Sequence, residues 1–172
     1  MRGFPRSLAG AFALVLAILL GWLLTEISRQ PEEGTDFSKR AIATVDGVVD
    51  GDTARVWLDG ERESVRYIGI DTPEMNYGEG QPSCFASRAT ARNQEMLDRN
   101  EQVTLVFDRE RRDRYGRLLA FVYSGPTLLQ AELLKGGYAT TIEVPPNTSR
   151  AAEFADLEDQ ARRAGRGLWS AC

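Results

Sequence analysis

The chain has 172 residues, 42% of them hydrophobic, and a formal charge of −4, which suits one globular domain and offers no global basic field for nucleic acid. It contains no histidine, which excludes a Ser-His-Asp triad, a Cys-His pair, histidine-ligated zinc and a histidine general base. Any catalysis must rest on carboxylates, arginines, lysines, tyrosines or a metal held by oxygen, and two cysteines without CxxC spacing argue against a zinc or redox motif.

The amino terminus reads as a separate object. Arg2 and Arg6 precede an apolar run from Leu8 to Leu24, which Glu26 and Arg29 end. As a helix the run covers roughly 25 Å, near the short end of a membrane span. A cleaved signal peptide has a shorter apolar core and a small-x-small cleavage site. Here the run is long, and "WLLTEISRQ" offers no A-x-A-like site. The reading is therefore an N-terminal transmembrane or signal helix over 1–28, favoured as an uncleaved anchor, with a cleaved, secreted or periplasmic form as the alternative. Positive charge before the run keeps the amino terminus in the cytoplasm and places the rest outside. Residues 29–40 read as a polar linker, and 41–172 as the folded domain. In an oxidising compartment a Cys84–Cys172 disulfide would close a loop of about 90 residues and stabilise by ~4 kcal/mol. Two free thiols or an intermolecular bridge stay open.

From Ala41 the pattern turns to strands. "AIATVDGVV" is β-branched and small, "TARVWL" comes next, and Asp59-Gly60 joins it to "ERESVRYIGI". Asp-Gly between alternating runs predicts a tight hairpin. Alternation sets Val65 and Tyr67 on one face and Arg66, Ile68 and Ile70 on the other. Phe85–Asn100 reads as a helix with Phe85, Ala89 and Met96 on its stripe. "QVTLVFD" and "GRLLAFVY" read as paired strands. A short helix runs from Thr127 to Gly136-Gly137. A last helix is capped by Thr148 or Ser149, buries Phe154, Leu157, Ala161 and Ala164, and stops at Gly165. Three strands, a helix, two strands, then helices suit a five-stranded OB-fold barrel with three helices, an α+β arrangement.

"IDTPE", Ile70–Glu74, sets two carboxylates three residues apart. Asp-x-x-Glu around a proline resembles an N-cap with a capping-box glutamate. The next ten residues, "MNYGEGQPSC", contain Gly78, Gly80 and Pro82, which suit no helix. The two acids therefore lie in irregular chain. Three further motifs accompany them: "VDGDT" with Asp50, Asp52 and Thr53; "FDRERRDRYGR" with Asp108, Asp113, Arg114, Tyr115 and Arg117; and "PPNTSRAAEF" at the last helix. Singly, each has an ordinary reading as a turn, a surface pair or a solvated loop.

Together "DGDT", "R-x4-DTPE", "D-x-YGR" and a terminal "LW", in order and spacing, resemble the staphylococcal nuclease (thermonuclease) family from about Val45 to Ser170. The resemblance implies a Ca2+-dependent hydrolase cutting phosphodiester bonds of DNA and RNA, single strands favoured, and leaving 3′-phosphates. It implies that Asp52 and Asp71 bind calcium with the Thr72 carbonyl, and that Asp50 lies just behind them. Arg66 and Arg117 would hold the scissile phosphate, and Glu74 would act as general base or position the water. Arg114 and Tyr115 would contact a neighbouring phosphate, although the family commonly has lysine at the first of these. The chemistry needs such a set. Calcium takes hard oxygen ligands, and arginine stays protonated and grips phosphate bidentately.

One departure bears on substrate choice. The family's type member has two tyrosines that pack near the base, where this chain has Thr141 and Glu143. The acidic balance assigns binding to a local patch of Arg109, Arg111, Arg112, Arg114 and Arg117. The competing reading is a non-catalytic OB-fold nucleic-acid-binding module. A third, a structural envelope domain, leaves the clustered acids and arginines unexplained.

Overall fold

The computed structural model describes residues 40–172 except Tyr77, Glu79 and Asn100. The apolar run at Leu8–Leu24 lies outside the described residues, among which no helix is long and apolar enough to cross a membrane.

The hairpin expected at Asp59-Gly60 joins β2 (Thr53–Leu58) to β3 (Glu61–Tyr67), with Leu58 opposite Glu61 and Thr53 opposite Arg66. Both turn residues have positive φ, 51° and 84°, the geometry whose twist matches the flanking strands. Before it runs β1 (Arg40–Val48), which serves two neighbours. Its first half pairs with β5 (Gln102–Val106) and its second with β2, and a bulge between Val45 and Gly47 bends it between them. β6 (Leu118–Ser124) pairs antiparallel with β5 and parallel with β3, with Arg66 opposite Leu119. That parallel contact closes a five-stranded barrel, as expected for an OB-type arrangement.

Period-2 alternation fills the interior. Ala43, Val45, Ala54, Val56, Val65, Tyr67, Val103, Leu105, Leu118 and Ala120 all point inward and are buried. The core is completed by α2 (Leu129–Lys135), which buries Leu129, Leu133 and Leu134, and by α3 (Ala151–Arg163) through Phe154. Helix α1 (Ala86–Met96) lies between β4 (Ile70–Asp71) and β5 in the chain. One helical turn, α4 (Leu168–Ala171), ends the chain.

Several expectations need correction. Helix α1 begins after Phe85, whose φ of 72° makes it a corner rather than a helical residue, and it buries Ala86, Ala89, Thr90 and Asn93. Thr127 and Leu128 form a short strand, β7, hydrogen-bonded to the end of β6 before α2 starts. Neither Thr148 nor Ser149 caps α3; the Ser149 amide is taken by Asp108 Oδ2 at 3.1 Å. Glu158 is buried on α3 where Ala164 is exposed, because its carboxylate accepts from the Thr141 amide at 3.0 Å and from the Thr141 hydroxyl. Those bonds brace β8 (Thr140–Thr141), which pairs with β4 in a second small sheet that the pattern of residues did not announce. The run Arg66, Ile68, Ile70 does not keep one face, since Gly69 turns the chain at φ 81°. Ile68 and Ile70 are both buried there, and a side chain at Gly69 would meet the Phe154 ring at 2.8 Å.

Candidate active site

The site gathers where β2 begins and β4 ends. The backbone N–H of Asp52 bonds to Asp50 Oδ1 at 3.1 Å, curling "DGDT" into a tight loop. Thr72 seats against this loop because Gly51 has no Cβ; one built there would lie 2.6 Å from the Thr72 hydroxyl. Thr72 then donates to Asp52 Oδ2 from its amide (2.8 Å) and its hydroxyl (3.1 Å), while Thr53 donates to Oδ1 at 3.2 Å.

Arg66 enters from β3 and crosses the same place. Its guanidinium lies 3.2 Å from Asp52 Oδ2 and 2.7 Å from Asp71 Oδ1, and it also donates to the carbonyls of Tyr67 (3.1 Å) and Ile70 (2.7 Å). Asp52 is 5% exposed. Burial pushes its carboxyl up to about 6; Arg66 and the two Thr72 bonds pull the other way, and Asp50 adds to the rise. Asp71 is the more open of the pair, with 47% of its side chain exposed.

The parallel β3–β6 contact brings the second arginine to the same region. "DRYGR" forms a turn: Asp113 Oδ1 accepts from the amides of Tyr115 and Arg117, both at 2.9 Å, and Gly116 donates to the Asp113 carbonyl at 3.0 Å. Asp113 Oδ2 also takes Arg117 Nε at 2.7 Å. Partial burial would raise the Asp113 carboxyl, but the Arg117 side chain and the two amides outweigh it and hold it low. Arg66, Arg114, Tyr115 and Arg117 line one cleft of about 500 Å³, with Ile142, Val144 and Pro145 among its other walls. Tyr115 is 69% exposed and hydrogen-bonded to Arg114 at 2.6 Å.

Thus Asp50, Asp52, Asp71, Thr72 and Arg66 form one bonded network, and Arg66 connects it to the cleft of Arg114, Tyr115 and Arg117. Glu74 is exposed on the segment after Thr72 and is not among the residues lining the cleft. The basic patch is more neutralised than the run of arginines implies. Arg112 is paired with Glu63, and Arg111 lies over the Phe107 ring at 4.1 Å. Cys84 and Cys172 are joined by a disulfide.

Two supporting residues escaped the sequence reading. Asn93, fully buried on α1, accepts from the Tyr67 hydroxyl (3.0 Å) and donates to the Asp50 carbonyl (2.9 Å), so it fixes the acid loop from behind. Asn147 accepts from the amides of Arg109 (3.0 Å) and Glu110 (2.8 Å) and donates to the Glu110 carbonyl, tying the arginine run to the chain before α3. An asparagine in the middle of a helix is the one available signal for the first, since it has poor helix propensity and wants a partner.

Comparison with known proteins agrees with this geometry. Residues 64–171 match the model of the staphylococcal nuclease homologue family. The chain is 35% identical to endonuclease YncB of Bacillus subtilis (strain 168), over 82% of this chain and 69% of that one. It is 39% identical to the SPbeta prophage-derived endonuclease YokF of the same organism, over 74% of this chain but only 43% of the relative's own length. Against the thermonuclease of Staphylococcus hyicus it is 32% identical over 72% of each chain. A closed five-stranded barrel, an acid pair joined by an arginine, a second arginine across the cleft and a match over most of the folded unit agree: the chain belongs to the staphylococcal nuclease homologue family.

Proposed function

We propose that this chain is a calcium-dependent nuclease that hydrolyses phosphodiester bonds in DNA and RNA, single strands favoured, and leaves 3′-phosphate ends. The observation that carries the reading is the placement of Arg66. One guanidinium is both the ion-pair partner of Asp52 and Asp71 and a wall of the cleft that Arg117 shares.

The donor set suits calcium. Asp52, Asp71 and the Thr72 carbonyl offer only hard oxygen. Among the described residues no three acidic, histidine or cysteine side chains cluster to hold a metal. Water would therefore complete the shell, as it commonly does for this ion. When bound, calcium supplies charge that polarises the phosphoryl oxygen and offsets the charge growing there.

The chain's own residues do the rest. Arg66 and Arg117 grip the non-bridging oxygens of the scissile phosphate, each with a planar fork of donors that matches it. Asp113 restrains Arg117 through its Nε, and the terminal nitrogens make no hydrogen bond among the described residues. Glu74 orients the attacking water and takes or directs its proton. The phosphorus–O5′ bond breaks, the phosphate stays on the 3′ side, and a proton returns to the leaving oxygen. Each electrostatic donor of this kind contributes ~3–4 kcal/mol at the transition state, by analogy with oxyanion holes.

Residues 8–24 anchor the chain in a membrane with the nuclease domain outside the cytoplasm; the secreted alternative holds if the run is cleaved. A disulfide joining Cys84 and Cys172 suits an oxidising compartment. The mature amino terminus tests this, because loss of the first 28 or so residues identifies a signal peptide.

The main assay is digestion of single-stranded DNA with calcium and with EGTA. Glu74→Ala and Arg117→Ala should each lower the rate by orders of magnitude with the fold intact. Full activity in EGTA, or in either variant, refutes the assignment. The exposed position of Glu74 outside the cleft lining gives the binding-module reading its one supporting observation. Retention of DNA without cleavage in the same assay would select it.

A further inference from the structure

The segment between β4 and α1 carries Glu74, whose carboxylate has no hydrogen bond or ion pair among the described residues. Among the described residues the one hydrogen bond that Glu74 makes is through its backbone. The Glu74 carbonyl accepts from the Ser83 amide at 2.9 Å, and Asn76 Nδ2 bonds to the Gln81 carbonyl at 2.9 Å just beyond. Glu74 is therefore placed by the returning chain at Ser83.

Two neighbours of Ser83 hold that return. Cys84 is bonded to Cys172, 88 positions further on. Phe85 has a φ of 72°, a left-handed conformation that a bulky residue keeps only when its surroundings over-determine it. Both are fastened to the same region. The Phe85 ring lies 5.5 Å from that of Tyr138, and the terminal turn bearing Cys172 is docked by the Leu168 amide on the Gly137 carbonyl at 2.9 Å.

We infer that the Cys84–Cys172 bond is a positioning clamp for Glu74, a reading that rests on the nuclease function proposed above. With the clamp closed, the strained corner at Phe85 keeps the Ser83 amide on the Glu74 carbonyl. Opened to two thiols, the residue next to Ser83 loses its tie to the terminal turn and the Ser83–Glu74 bond loosens. Arg66 and Arg117 stand on the barrel outside this segment and keep their grip on phosphate. Turnover falls while substrate binding does not. The nuclease is thereby least active in a reducing compartment, and gains its rate when a protein or small-molecule disulfide takes two electrons and two protons from the thiols.

The full chain, in mild detergent for its apolar amino terminus, is assayed oxidised, after reduction with tris(2-carboxyethyl)phosphine, and as the Cys84→Ser/Cys172→Ser variant. Reduction should lower kcat by roughly 10²-fold with KM changed less than about twofold, and the double variant should match the reduced chain and ignore the phosphine. Hydrogen exchange should quicken at the Ser83 amide, while Val103 and Leu105 in the barrel keep their protection. Unchanged kcat with an unchanged Ser83 amide overturns the inference. So does lost protection at Val103 and Leu105, which would make the bond a global brace. If the oxidised chain hydrolyses nothing, the nuclease reading fails, and the Ser83 amide alone decides the clamp.

Discussion

Asp52→Asn should stabilise the metal-free protein at neutral pH while abolishing its calcium response. The carboxyl of Asp52 has its pKa raised from 3.8 to about 6 by burial. A carboxyl with a folded pKa above its unfolded value holds its proton more tightly when folded. The native state is favoured below the unfolded pKa, and that advantage is lost as pH climbs from about 4 to about 6. That rise corresponds to roughly 3 kcal/mol of penalty for the ionised form. Asparagine keeps one acceptor for the Thr72 amide at 2.8 Å, and the Thr72 bonds and Arg66 are already counted in that figure because they pull against burial. The expected net gain is ~3 kcal/mol near pH 7.5 in EGTA, shrinking to about zero near pH 4. Urea denaturation of the compact unit Phe37–Cys172 at both pH values reads it directly. With calcium the order should reverse, because the ion stabilises only the protein that binds it. A variant less stable than the parent near neutral pH in EGTA, or a gain equal at both pH values, would show that burial does not dominate this carboxylate.

Other substitutions probe the scaffold. Gly69→Ala should destabilise by ~3 kcal/mol, since the alanine meets both a φ of 81° and the Phe154 ring at 2.8 Å; an unchanged urea midpoint would contradict the close packing. Asn93→Ala leaves the Tyr67 hydroxyl and the Asp50 carbonyl unpaired, so it should cost ~2–4 kcal/mol and weaken calcium binding, measured by titration calorimetry. Asp113→Ala frees Arg117 and opens the turn; kcat/KM for single-stranded DNA should fall by about tenfold or more, with only ~1 kcal/mol lost in stability. Wild-type rates in Asp113→Ala would mean that Arg117 needs no restraint.

Much of the barrel was legible because strands advertise themselves by short-range chemistry. Val103 and Leu105 alternate with solvated neighbours, and Asp59-Gly60 demands its turn whatever surrounds it. The failed boundaries lie where tertiary contact overrides local preference. Phe85 looks like a helical residue and is a left-handed corner held against Tyr138. Glu158 looks like a solvated charge and is buried because β8 presents it with two donors.

The site divides in the same way. Residue type alone ruled out histidine chemistry, and motif order assembled Asp52, Arg66, Asp71, Thr72, Glu74 and Arg117 as one set. Only the closed barrel decides which of them meet. The parallel β3–β6 contact, between strands far apart in the chain, sets Arg66 beside the turn that holds Arg117. Arg66 reaches Asp52 and Asp71 because Gly51 lets Thr72 pack against the acid loop and Gly69 turns the chain back toward it. Such distances depend on closure, which no local pattern encodes. Glu74 stays the least determined of the six, since its place depends on a loop tied down from the far end of the chain.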